Sequence, residues 1–340
     1  MKIVTLLCFA FFTVVSHAQP MTSAQEKEIQ KIEQSIKDDS RKMIMQEEAI
    51  DRYIADSIFT KGLVRALRVT NSFYYPFDSI NTISKLYAPD SSFRIFTWQL
   101  EKDRASIRQK GAIQMRTADG SLKLFPLFDN SDDSKRPVDS VRSNQRWIGA
   151  IYYKVILKKF NNKNYYTLLG YDDNDDVTSK KWIEVLTFDD KGNPQFGGRY
   201  FQYPNDELKP PQPAFRFCLE YKKDGRARMN YDPELDVIVF DHLISEGKTP
   251  DASKRETLIP DGDYEAFKWN EGRWVHINKL FDYKADMQGV DPMKGNPPVP
   301  APLNEGKDKP TKKGQPSIKS PYEVDDKRKP SKEERKSENY

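Results

Sequence analysis

His242 and His276 are the only imidazoles in the chain beyond its first nineteen residues, and Cys218 is the only thiol there. Any Ser-His-Asp relay must therefore use one of those two histidines. Asp241-His242 follows the apolar run 237–240, a strand end that would hold such a pair rigidly, but no G-x-S-x-G elbow accompanies it. His276 shares strand parity with Trp274 and Asn278 and reads as a packed or solvated side chain. Glu184 is the acid with most promise. In the run 182–188 it falls on the same side as Trp182, Leu186 and Phe188, so if that face is interior the carboxylate must be paired or hard to ionise. The opposite face, with Ile183, Val185 and Thr187, is the other candidate for the interior. An acid pair held roughly 5–10 Å apart would suit glycoside hydrolysis, and Glu184, Asp241 and His242 are the catalytic candidates if the chain is an enzyme.

Metal chemistry has less support. A zinc site needs three or four clustered ligands, which two separated histidines and one cysteine do not supply. Asp172, Asn174 and Asp176 echo the opening ligands of an EF-hand, but Val177 stands at the glycine position and Ile183 at the twelfth-position acid. The stretch reads first as a solvated hairpin loop and only second as a calcium site, and Asp129, Asp132 and Asp133 read the same way. Cys218, in the strand-like run 215–221, reads as a buried structural thiol. Trp98, Trp147, Trp182, Trp269 and Trp274 would suit sugar stacking or simply fill a β core.

These residues need elements to position them. Residues 22–67 place Ile29, Ile32, Ile36, Met43, Ile50 and Ile54 at helical spacing, with Asp39 and Gln46 where a sustained heptad seam would be apolar. One or two helices packed on the body are expected, with a further short helix over 78–87 behind an Asp78 cap. From residue 92 to 283 the pattern changes to short aromatic and β-branched runs, about twelve of them. Asp119-Gly120, 161–164, 190–193, Asp224-Gly225 and 270–272 supply hairpin residues, whereas Gly197-Gly198 suggests a bulge and Asp261-Gly262-Asp263 a turn. The expected fold class is mainly β: a roughly twelve-stranded antiparallel meander, as a barrel or two-sheet sandwich, preceded by a helical N-terminal segment. A propeller would have only about three blades.

The boundaries expected are 1–19, 20–90, 91–284 and 285–340. The first is a signal peptide: Lys2, an apolar run to Val15, then Ser16-His17-Ala18, with cleavage after Ala18. No later run approaches spanning length, so no transmembrane segment is expected in the mature chain, and with one cysteine left no internal disulfide can form. The last fifty residues hold nine of the 22 prolines among Lys and Glu and few large apolar side chains, a disordered tail by composition. Of the net +4 charge, the first nineteen residues carry one and the last fifty carry three, leaving a neutral body that offers no basic stripe for nucleic acid.

The segments "WIGAIYYKVI", "YYTLLGYDDN", "KWIEVLTFD" and "LIPDGDYEAFKW" resemble secreted, uncharacterised proteins of the Bacteroidota. That resemblance implies a periplasmic or extracellular location and transfers no activity and no site residue. The expected function is a non-catalytic envelope-associated module binding protein or glycan; the alternative is a hydrolase working through acidic residues, on carbohydrate for example. No cofactor is expected beyond the weak calcium reading.

Overall fold

The structure is a computed structural model and describes residues 21–103, 106–131, 137–247 and 254–280. The signal-like segment, Asp132-Asp133 and the proline-rich tail lie outside these residues.

Two helices open the fold, α1 (Ser23–Met45) and α2 (Ala49–Leu67). Thr22 starts α1 with a capping box: its Oγ1 accepts from Gln25 N at 3.3 Å while Thr22 N donates to the Gln25 side chain at 2.8 Å. Three residues after α1 ends the chain has folded back, and Arg52 Nη1 donates to the carbonyls of Gln46 and Glu47 at 2.7 Å each, fixing the corner. The helices approach so closely at Gly62 that an added Cβ would lie 2.2 Å from Ile36 Cγ2. Ile29, Ile36, Phe59 and Leu63 bury there against Phe96, Trp98 and Leu100 of the first sheet.

That sheet runs β1 (Ser84–Tyr87), β2 (Phe93–Asp103), β3 (Ser106–Met115) and β4 (Lys123–Phe128) in order, all antiparallel. Within it the helix expected over 78–87 is corrected. Ile80 and Ile83 do bury, but as anchors of a turn, and residues 84–87 pair with β2 instead. An open sheet edge offers this segment a ladder that its local pattern could not announce.

The second sheet comprises β5 (Arg142–Ser143), β6 (Ile151–Phe160), β7 (Lys163–Asp172), β8 (Thr178–Phe188) and β9 (Pro194–Phe196), with β11 (Phe217–Lys222) also on β8. The third comprises β10 (Phe201–Gln202), β12 (Met229–Asp232), β13 (Val237–Ser245), β14 (Leu258–Asn270) and β15 (Arg273–Ile277). Among these strands all pairs are antiparallel except β10 with β15. The fold is mainly β, as expected, but among the described residues its strands make three sheets and none closes into a barrel. The middle sheet is buried on both faces: Trp182 and Leu186 pack with Phe93 and Ile95 of the first, and Ile183 and Val185 with Phe240 and Phe267 of the third. So both candidate faces around Glu184 are interior.

Eleven of the twelve expected strands are present; the expected strand 196–203 and two connectors behave differently. The run 196–203 is cut by Gly197, at φ +87°, into β9 and β10, which belong to different sheets. A side chain at Gly197 would meet Arg216 Nη2 at 2.6 Å and Phe215 O at 2.9 Å. Asp224-Gly225 joins β11 to β12 across two sheets, so no hairpin forms there. Asp261-Gly262-Asp263 lies inside β14, where the register shifts opposite His242, making it a bulge and no turn.

Candidate functional site

The register of β8 against β11 sets the floor of a cleft of about 470 Å³. Trp182 lies opposite Cys218 and Lys180 opposite Glu220, so alternation puts these four on one side of a two-strand ribbon. The β7–β8 hairpin adds Asp172 and Asn174 to the wall, and Arg255 completes it with Leu208 and Pro210. A cavity of this size is within the range that takes small ligands.

Most of its polar atoms are already engaged. Lys180 Nζ donates to Asn174 Oδ1 at 2.6 Å and stands 3.9 Å from Glu220 Oε1, which accepts from Thr178 Oγ1 at 3.2 Å. Arg255 Nη1 donates to Leu208 O at 2.8 Å. Asp172, 8% exposed, accepts on Oδ1 from Gln109 Nε2 at 3.0 Å and from Asn174 N at 2.9 Å. Burial nonetheless pushes its carboxyl above the ordinary value, because desolvation outweighs those bonds and the nearby Lys180. Trp182 differs: its indole Nε1–H is buried with no partner among the described residues. Burial likewise keeps the Cys218 thiol protonated, so it is no ready nucleophile.

The calcium candidates thus separate. Asp172 and Asn174 meet, but Asn174 commits Oδ1 to Lys180 and its amide to Asp175 and Thr178, whereas Asp176 is exposed. Among the described residues no group of three or more His, Cys, Asp or Glu is arranged to hold a metal. Asp129 serves its own loop and β3, accepting from Ser131 N at 2.9 Å and from Gln109 N at 2.8 Å.

Glu184 lies one step further along the same side of β8 as Trp182, but it does not reach the cleft. Glu184 and Arg216 are both 0% exposed, with Arg216 Nε donating to Glu184 Oε1 at 2.6 Å. Tyr152 OH donates to Oε2 at 2.6 Å and accepts from Trp147 Nε1 at 2.8 Å. Burial first, and the Glu184 charge second, hold the Tyr152 phenol far from ionising. Arg216 also donates to the carbonyls of Phe196, at 3.0 Å, and Pro137. Both carboxylate oxygens of Glu184 are thus matched inside the protein.

Asp241 and His242 engage different partners. Asp241 Oδ2 accepts from Arg228 N at 2.7 Å, and burial raises its carboxyl above the ordinary value. His242 Nδ1 meets Asp261 Oδ2 at 2.9 Å across the β14 bulge, and its Nε2 lies 3.8 Å from Glu265 Oε1. Glu265, absent from the sequence candidates, is the hub: it is 2% exposed, bonds His276 Nε2 through Oε2 and accepts from Lys209 Nζ at 3.1 Å. Its signal was available, since Glu265 alternates with Phe267 just as Glu184 does with Trp182. Lys209 also reaches Asp206 Oδ2 at 2.5 Å. It sits between Leu208 and Pro210, so this cluster anchors one wall of the cleft from behind.

Comparison of the chain with protein-family models, with curated proteins and with solved structures finds no match.

Proposed function

We propose that the chain is an exported, non-catalytic envelope-associated module whose cleft binds a small, polar, hydroxyl-rich ligand of the glycan type. The observation that carries this is the buried Trp182 N–H without a partner among the described residues, placed in a cleft whose other lining groups mix carboxylate, amide, ammonium and guanidinium. A buried donor left unmade costs about 1–3 kcal/mol, which a ligand oxygen would recover. Mixed donors and acceptors suit hydroxyl groups better than a strongly charged ligand. Export is supported by the N-terminal apolar segment with its small-residue end.

A second reading, a hydrolase, is favoured by one feature only: Asp172, an acid that burial biases toward its protonated form, shares the cleft with Glu220. Titration of the protein with neutral and acidic cell-wall oligosaccharides, followed by calorimetry and reducing-end release, decides between them. Saturable binding that Trp182→Phe weakens about tenfold, without release of reducing ends, is the expected result. Release that stops in Asp172→Asn selects the hydrolase, and no binding to any oligosaccharide sinks both.

A further inference from the structure

We propose that α2 is a self-association surface, pairing antiparallel with the same helix of a second copy of this chain. The helix is apolar on two sides. One side, with Ala55, Phe59, Leu63 and Ala66, is consumed by α1 and the first sheet. The other exposes Ile50 at 64%, Ile54 at 53% and Ile58 at 47%, three β-branched side chains at i, i+4 and i+8. They form one stripe about 12 Å long down the outer face. Single exposed apolar residues are ordinary on protein surfaces, but a continuous row on a rigid helix marks a contact.

The charges around the stripe identify the occupant. Glu47 and Glu48 precede it at the N-terminal end, and Lys61, Arg65 and Arg68 follow it at the C-terminal end, all of them exposed. Counted from Ile54, Glu47 is seven residues back, just ahead of the first turn, and Lys61 is seven residues on, two turns along nearly the same azimuth. A two-fold axis passing beside Ile54 therefore sets the Glu47 end of one copy against Lys61 of the other, twice, and the isoleucines against one another between them. A parallel arrangement would set acid on acid and base on base. Two-fold pairing by one self-complementary patch is the commonest form of homo-oligomer.

Shape agrees with charge. Ile44 and Met45, 46% and 79% exposed, project at the corner where α1 ends, level with the start of α2. At the other end of α2 there is a shallow hollow of about 470 Å³, lined by Thr60, Lys61, Val64, Arg65 and Arg68. Antiparallel pairing brings the projecting end of each copy level with the hollow of the other. Asp51 and Ser57, both exposed, flank the stripe and stay at the wetted rim. One helix pair buries less than a standard interface, so the dimer should be of micromolar strength.

Sedimentation equilibrium of the full chain from about 1 to 100 µM tests this. The expected result is a reversible monomer–dimer equilibrium, with Ile54→Lys raising the dissociation constant at least about 30-fold and leaving the circular dichroism unchanged. Glu47→Lys and Lys61→Glu should each weaken the dimer several-fold, and the two together should restore it. A chain monomeric throughout the range overturns the proposal. So does a dimer indifferent to Ile54→Lys, a double exchange no better than the singles, or a monomer that floats with phosphatidylglycerol vesicles through Ile54, which would make the stripe a lipid contact.

Discussion

Glu184 and Glu265 are both almost wholly buried on interior strands, and they differ in the company each keeps. Glu184 faces the planar guanidinium of Arg216, and both are sealed from water, with further bonds to Tyr152, Phe196 O and Pro137 O. Glu265 faces Lys209, His276 and His242, of which Lys209 is also shared with Asp206 and His242 is 35% exposed on its side chain. The first group ties β6, β8 and the segment leading into β11 together around Trp147 and Tyr152. The second is built from side chains that share and can exchange partners. Burial alone therefore does not separate a structural acid from an adjustable one; the partners do.

The sharpest way to break this contrast is to remove one partner from each. Arg216→Met should destabilise by about 3–5 kcal/mol in urea unfolding, because it strands a carboxylate in a dry interior; the double variant with Glu184→Leu should recover most of that. A loss below about 1 kcal/mol would show that water reaches Glu184 after all. Glu265→Gln should cost less, about 1–3 kcal/mol, since Lys209 keeps Asp206 and the amide can still meet His276. A loss from Glu265→Gln as large as that from Arg216→Met would remove the distinction.

Alternation along single strands was enough to find Glu184, and applied to residues 264–269 it would have found Glu265 as well. It could not supply the partners, because Arg216 and Glu184 lie 32 residues apart and meet only where the chain enters β11 beside β8. The helical segment and eleven of the strands were legible from period and turn residues; the short β1, β5, β9 and β10 were not, and the expected strand 196–203 is split between the last two. The count of sheets was not, since a strand buried on both faces, such as β8, carries apolar side chains at both parities and does not say how many layers it separates. The cleft escaped because Lys180 and Trp182 meet Glu220 only through the β8–β11 register, and Arg255 joins them from a third segment packed on β11.

The smallest effect should come from Asp172, and its sign is opposite to the others. Burial raises this carboxyl in the folded protein, so at neutral pH holding it ionised costs the fold stability. That penalty is fully present above the raised folded value. It fades as pH falls through that value, because the folded state takes up the proton first, and is gone below about pH 4, where the unfolded chain is protonated too. Asp172→Asn keeps an oxygen for Gln109 Nε2 and Asn174 N, so it should stabilise by under about 1 kcal/mol at pH 7 and by nothing near pH 3. Parallel urea titrations at the two pH values measure this. A stabilising substitution in a ligand cleft would mean that Asp172 is kept despite its effect on stability, as residues of a working site are; a destabilising one would place it with Glu184, as part of the frame.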